Sequence, residues 1–252
     1  MCIIAGKAAP GYDIAKKIIQ LACGLSKVVN NDVRCANLLQ VVFIPNFNVS
    51  LAELIIPASD VSQHISTAGM EASGTGNMKF VMNGGLIVGT ADGANIEIAR
   101  AIGKDDLFCF GATADEVAAL RRTMHTRAPA PVDPRLARVL RMVRSGVFGP
   151  PDDYAPLLES LEPSRDFYLV GHDFAGYLDA LDAADAAYRD RAGWAAKTIR
   201  ASCSMWAFSS DRTIKQYARK VWGMEPLPFK PPHHVQANPP HGLHQHGQHV
   251  KH

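Results

Sequence analysis

The chain has 252 residues, of which 47% are hydrophobic and 20% charged, and its formal net charge is +2. Such a chain can bury one good core and reads as a single domain with a tail. The basic residues are spread along it, which speaks against a nucleic-acid or membrane-surface binder, and no apolar run reaches the ~18 residues of a membrane span.

The first five residues, Met1-Cys2-Ile3-Ile4-Ala5, are too short for the apolar region of a signal peptide and run straight into a turn. They read as the end of a buried strand, and no signal peptide is expected. The loop Gly6–Gly11 follows. Ile14, Ile18, Leu21 and Leu25 recur at helical spacing and predict a helix from Asp13 to Val28. Leu38–Ile44 has the β-branched look of a buried parallel strand, stopped by Pro45. A helical stretch near Leu51–Ile56 precedes a glycine-rich segment with its own helix. A strand is expected at Leu86–Gly89, a helix near Asn95–Ile102 and a strand at Leu107–Phe110. This alternation predicts a parallel α/β sheet with right-handed crossovers. In such sheets ligands gather at the carboxyl ends of the strands, where the loops beginning at Gly6, Pro45 and Gly89 should lie.

The second half reads as helical: Ala114–His125, Pro134–Ser145, Tyr154–Glu162, Asp173–Ala192 and Thr213–Trp222. The Ala-Asp repeats near Asp179–Ala187 suit a solvated helix face, and Thr126–Asp133 reads as a linker loop. Ser210-Asp211-Arg212 suits a helix start, with hydroxyl or carboxylate as cap. From Phe229 prolines and histidines dominate, and seven of the ten histidines fall between His233 and His252. Residues 229–252 therefore read as a disordered tail, and residues 1–228 as the folded part. Imidazoles at that density can bind Zn, Cu or Ni weakly, but the tail reads as fast-evolving or appended sequence rather than a metal site. The five cysteines, Cys2, Cys23, Cys35, Cys109 and Cys203, are odd in number and scattered. They predict free thiols in a reducing compartment, with no disulfide framework and no zinc spacing.

The chemistry concentrates in Glu71-Ala72-Ser73-Gly74-Thr75-Gly76-Asn77-Met78-Lys79-Phe80. Gly74 and Gly76 let the backbone approach a ligand and turn amides toward it. A helix starting near Thr75 would offer its first amides at the positive end of its dipole, a cradle for phosphate. Lys79 follows one turn later. A phosphate beside a lysine suggests either a nucleotide or pyridoxal phosphate bonded to the lysine as a Schiff base. The glycine-lysine-hydroxyl string of a P-loop is absent, which argues against ATP hydrolysis of that kind. Asp92 and Asn95, in Gly89-Thr90-Ala91-Asp92-Gly93-Ala94-Asn95, read as turn and cap residues rather than as a carboxylate site.

The longer string is more specific. Ser62-Gln63-His64-Ile65-Ser66-Thr67-Ala68-Gly69-Met70 runs into the ten residues above, and the Gly89–Asn95 turn follows with Ile96-Glu97-Ile98. This resembles the cofactor region of the α-glucan phosphorylases, the glycogen and starch phosphorylases. Gly6-Lys7-Ala8-Ala9-Pro10-Gly11-Tyr12, Val49-Ser50-Leu51-Ala52-Glu53 and Phe208-Ser209-Ser210-Asp211-Arg212-Thr213-Ile214 match the same family in order and spacing. The resemblance runs from about Ile3 to Pro226, and its wording is nearest the plant and algal branch.

The resemblance implies the C-terminal part of a two-domain GT-B-type glycosyltransferase: a Rossmann-like parallel sheet with helices, followed by C-terminal helices. It implies pyridoxal 5'-phosphate on the lysine matching Lys79, with the cofactor's phosphate as the working group. The implied reaction is attack of inorganic phosphate on an α-1,4-glucan, releasing α-glucose 1-phosphate with retention. Thr75, Gly76 and Gly74 match the phosphate cradle, and Phe47 stands where the family commonly has a tyrosine near the cofactor. Glu71, Ser73 and Gly74 match contacts to glucose hydroxyls, and Tyr12 an aromatic at the mouth of the site. Lys79 must be neutral to form an imine, so burial of its amine is expected. The family also implies a homodimer, and a cytoplasmic location unless a longer product carries a plastid transit peptide.

The family's large N-terminal domain and its basic phosphate-gripping cluster have no counterpart here. A fragment is therefore expected, inactive alone, with the sheet lacking its first strands and apolar surface exposed. A non-catalytic remnant that binds cofactor, glucan or a partner phosphorylase is the alternative. A nucleotide-sugar glycosyltransferase of similar architecture is disfavoured, since it has no need of the lysine.

Overall fold

The computed structural model describes residues 1–123, 131–225 and 227. The last residues of the helix expected to reach His125, most of the expected linker loop and the Pro/His-rich tail lie outside the described residues. The chain divides into two compact units, Met1–Phe208 and a second that begins at Ser209.

The first unit opens with β1 (Cys2–Gly6), α1 (Asp13–Asn31), β2 (Val41–Pro45) and α2 (Val49–Ile55). It continues with β3 (Val61–His64), α3 (Gly76–Met82), β4 (Leu86–Thr90), α4 (Ala94–Ile102), a 3-10 turn at Lys104–Asp106 and β5 (Phe108–Phe110). Helices follow: α5 (Ala114–Thr123), α6 (Pro134–Arg144), α7 (Pro151–Ser160), α8 (Val170–Arg189), α9 (Arg191–Ser204) and a 3-10 turn at Met205–Phe208. All strand pairs are parallel, as the strand–helix alternation predicts. The strands form two sheets, β1-β2 and β3-β4-β5, instead of one continuous sheet. Among the described residues β1 pairs only with β2 and β3 only with β4, so each keeps one open edge.

That open edge corrects one expectation. Cys2, Ile3 and Ile4 are exposed, so β1 is not a buried strand. Leu38 and Leu39, expected at the start of β2, precede it and are also exposed. The core instead centres on β4, whose five residues are all buried. Successive side chains of a strand point to opposite faces. Ile87 therefore packs with Val81 of α3, Ile98 of α4 and Trp194 and Ala201 of α9. Val88 packs with Ala180 and Ala184 of α8. Asp179, Asp182 and Asp185 stay exposed on the opposite side of α8, the solvated face expected of the Ala-Asp repeat. A separate cluster joins Leu21 of α1, Val143 of α6 and Tyr154 and Leu158 of α7.

Two elements escape the sequence pattern, β3 and α9. Val61–His64 is four residues with only one apolar side chain, too short for periodicity to register. The helix expected to run from Asp173 to Ala192 breaks at Asp190, whose carboxylate accepts the Gly193 amide at 3.0 Å and starts α9. Buried Asp106 then ties this helix to the 3-10 turn before β5, accepting from Lys197 and Arg200 at 3.0 Å each.

The second unit contains α10 (Ser210–Lys220). Its cap is Ser209, whose hydroxyl accepts the Arg212 amide, one residue before the expected Ser210 or Asp211. All five cysteines are free. Among the described residues no helix is long and apolar enough to cross a membrane, and no group of His, Cys, Asp and Glu side chains could hold a metal.

Candidate functional site

The loop from Ile65 to Thr75 leaves the carboxyl end of β3 and enters α3. It lies beside the carboxyl end of β4, where a parallel sheet presents its ligands. Asp92, in the turn after β4, holds this loop in place. Its carboxylate accepts from Ser66 Oγ at 2.8 Å, from the Gly69 amide at 2.8 Å and from the Glu71 amide at 2.9 Å. Burial pushes the Asp92 carboxyl up, but the bonds from Ser66, Glu71, Gly69 and the Gly93 backbone outweigh it and hold it below the ordinary carboxylate range. The expected turn role belongs to the backbone, where the Asn95 amide donates to the Asp92 carbonyl at 3.1 Å.

Downstream, the Ala94 amide donates to the Ser73 carbonyl at 2.6 Å. Gly93 stands at φ +48, and a Cβ there would meet that carbonyl oxygen at 2.5 Å, so only glycine permits the approach. Asn95 is buried. Its amide nitrogen donates to the carbonyls of His64 and Thr90, at 3.1 and 3.0 Å, and its oxygen accepts from Asn77 at 2.9 Å. Asn77 Oδ1 takes the Met78 amide at 2.9 Å. This buried amide pair bolts the first turn of α3 to β3, β4 and α4.

Helix α3 begins at Gly76, after Thr75, which makes no side-chain cap bond. Among the described residues the amides of Thr75 and Gly76 and the Thr75 hydroxyl have no hydrogen-bond partner, which leaves three neutral donors for an anion. Gly74 at φ +77 turns the chain into this position. His64 flanks it: its Nε2 lies 2.9 Å from Ser62 Oγ, and a Cβ on Gly76 would sit 3.3 Å from its Cε1. Burial pushes the His64 imidazole below its ordinary value, toward the neutral form.

A hollow of 150 Å³ is lined by His64, Glu71, Ser73, Gly74, Thr75, Gly76 and Asp92, among others. A wider one of 460 Å³ adjoins it, with Met78, Ile96, Glu97 and Phe208 in its walls. Glu71, Ser73 and Asp92 belong to both. Asp92 has its oxygens occupied, whereas the exposed Glu71 side chain makes no hydrogen bond or ion pair among the described residues. Ser73 turns its hydroxyl onto the Gly74 carbonyl at 2.9 Å.

Of the residues singled out by sequence, Glu71, Ser73, Gly74, Thr75 and Gly76 thus come together. Lys79 lies four residues after Thr75 on α3, its amide donating to the Thr75 carbonyl at 3.4 Å. Residues at that spacing share a helix face. Lys79 is exposed, so the expected burial of its amine is not present in this chain. Tyr12 and Phe47 do not line either hollow. Tyr12 is exposed at the start of α1, and Phe47 is half-buried in the loop between β2 and α2. The sequence reading missed His64, Asn77 and the side-chain role of Asp92. Asn77 and Asp92 are buried polar residues whose side-chain partners stand 18 to 26 residues away, and His64 is marked by its place beside Gly76 and not by its near neighbour Ser62.

The fit to a phosphate-bearing group can be judged from the donors alone. Three unclaimed neutral donors and a glycine whose Cβ would crowd the wall fit the phosphate of a group such as pyridoxal phosphate, and Lys79 one turn on, though it lines neither hollow, would be the residue to bond it. The class defined by fold and site is therefore a parallel α/β unit whose glycine-rich loop carries unclaimed backbone and hydroxyl donors one helical turn before a lysine. A family model described as carbohydrate phosphorylase matches residues 1–224, and the chain belongs to that family. It is 53% identical to glycogen phosphorylase 2 of Dictyostelium discoideum, over 88% of this chain and 22% of that protein. It is 52% identical to the α-glucan phosphorylase H isozyme of Solanum tuberosum, over 88% of this chain and 27% of that one. The cytosolic α-glucan phosphorylase 2 of Arabidopsis thaliana is 50% identical over 90% of this chain and 27% of its own length. The chain thus spans about a quarter of the length of these curated relatives.

Proposed function

We propose that this chain is the cofactor-bearing part of an α-1,4-glucan phosphorylase, which transfers the terminal glucose of a glucan to inorganic phosphate and releases α-glucose 1-phosphate with retention. The observation that carries the reading is the trio of unclaimed donors on Thr75 and Gly76, one helical turn from Lys79, in a chain of the carbohydrate phosphorylase family.

Lys79 and the Thr75–Gly76 donors would hold pyridoxal 5'-phosphate. When bound, that group supplies a phosphate with a second pKa near ~6, able to give and take a proton near neutral pH. The chain's own contribution is to hold that phosphate without a fixed full charge. Two amides and a hydroxyl bind it, and the nearby imidazole is biased neutral, so its proton stays exchangeable. Glu71, with its carboxylate free, accepts from glucose hydroxyls, and Ser73 and Gly74 frame the same wall. Gly74 also sets the turn that brings the donors together.

The complete protein needs more than this chain. The open edges of β1 and β3 suit further strands of a full sheet, and the exposure of Lys79 suits a covering domain supplied by the rest of a phosphorylase. The complete enzyme is read as a homodimer by its resemblance to the family, and as acting in the cytosol or a plastid, the locations printed in the names of plant relatives. Neither nucleic acid nor membrane enters the reading. The same exposure of Lys79 favours a second reading, a remnant that binds cofactor, glucan or a partner phosphorylase without catalysis.

Complementation separates the two. The chain is mixed with the preceding part of the Solanum tuberosum relative, pyridoxal phosphate, maltodextrin and phosphate, and α-glucose 1-phosphate is measured. The first reading expects product from wild type, none from Lys79→Ala and none from either piece alone. Assembly of the two pieces without product would leave the remnant.

A further inference from the structure

Two carboxylates line the hollow at the cradle, and the structure gives them opposite surroundings. Glu71 is exposed and unpartnered among the described residues. Asp92 is only 4% exposed and takes donors from the Ser66 hydroxyl and the Gly69 and Glu71 amides. A carboxylate has about four lone-pair sites, and at Asp92 three of them are taken by the protein's own donors. It is also the group that fixes the backbone from which Glu71 projects.

We propose that Asp92 is a positioning residue: by gripping the Gly69 and Glu71 amides and the Ser66 hydroxyl, it sets where the Glu71 carboxylate stands in the wall shared by the two hollows. This rests on the reading that Glu71 contacts the sugar. The segment from Ile65 to Thr75 has no regular secondary structure to hold it. Side-chain and backbone ties do so instead: the Asp92 carboxylate on residues 66–71, the Ala94 amide on the Ser73 carbonyl, the Thr90 hydroxyl on the Ser66 carbonyl at 2.6 Å and the Thr67 hydroxyl on the Tyr168 carbonyl at 2.8 Å; of these, Asp92 alone holds the Glu71 amide. Lys79 is fixed separately. It rides on α3, which is held by the Asn77–Asn95 pair and by buried Val81. Disturbing Asp92 therefore shifts the Glu71 wall and spares the lysine.

The experiment compares the full chain with Asp92→Asn and Asp92→Ala in three measurements. Asp92→Asn keeps the shape but turns one accepting oxygen into a donor. In wild type, the amide proton resonances of Gly69 and Glu71 should move together on acidification, with a midpoint below the ordinary aspartate value; Glu71, His64 and Glu97 of α4 are the other titratable groups in the walls of the two hollows that Asp92 lines. Both variants should abolish that shared titration. Amide exchange over residues 66–74 should quicken about tenfold in Asp92→Asn, the scale of one lost bond to a charged group, and further in Asp92→Ala, which loses all three, with residues 86–90 unchanged. Borohydride-trapped pyridoxal phosphate should still map to Lys79. Unchanged titration and exchange over 66–74 would overturn the proposal, as would loss of protection that spreads equally to 86–90 in Asp92→Asn. Scattered labelling in wild type would count against the cofactor reading alone, because titration and exchange judge Asp92 without it.

Discussion

Single residues separate the parts of the site that hold shape from those that meet a ligand. Gly93→Ala puts a side chain at φ +48 and against the Ser73 carbonyl, so it should cost about 2 kcal/mol or more, read from chemical denaturation. Gly76→Ala should behave differently. Alanine suits a helix start better than glycine by about 0.5–1 kcal/mol, so stability should hold or rise while labelling of Lys79 by pyridoxal phosphate falls, because the new methyl crowds His64 beside the donors. The depressed Asp92 carboxyl fixes the sign of an acid effect. It contributes stability above the unfolded value of 3.8, and that contribution is lost as pH falls through its lower folded value. Melting curves of Asp92→Asn should therefore lie below wild type at neutral pH and converge with it in acid. The turn at Gly74 and the start of α3 after Thr75 were legible in the sequence because their signals are local. The grip of Asp92 was not, because its partners stand 21 to 26 residues away and only the fold brings them together.

Elements were legible where periodicity or punctuation marks them. α1 shows its apolar residues at helical spacing, and Pro45 ends β2 as expected. β3 was hidden because Val61-Ser62-Gln63-His64 is half-polar and draws its place from pairing with buried β4. α9 was hidden because alanine and glycine dilute its apolar stripe and because α8 reaches Arg189, leaving Asp190 alone as punctuation. Yet α9 carries much of the core. Trp194 stacks on Phe108 at 6.2 Å and meets Tyr188 edge-on at 5.1 Å. Trp194→Ala should cost about 3–5 kcal/mol in equilibrium unfolding. Lys197→Met leaves buried Asp106 with only one cation and should cost about 1–3 kcal/mol, whereas the more exposed Arg200→Gln should cost under about 1 kcal/mol.

At the scale of the whole molecule, the strands are parallel and the site sits at their carboxyl ends, as the strand–helix alternation implies. The division into two sheets was not legible, because the pattern of apolar runs says nothing about which edges meet. The open edge of β1, with Ile3 and Ile4 exposed, makes self-association the expected behaviour of the isolated chain. Ile4→Lys should lower the associated fraction in size-exclusion light scattering without lowering the melting temperature. The central claim is that the Glu71–Lys79 segment is a pyridoxal phosphate cradle, and one measurement bears on it most directly. The purified chain is loaded with pyridoxal phosphate, reduced with borohydride and mapped by peptide mass spectrometry beside Lys79→Ala. One adduct per chain on Lys79, absent from the variant, is the predicted result. Labelling scattered over exposed lysines, with Lys79 not preferred, would contradict it.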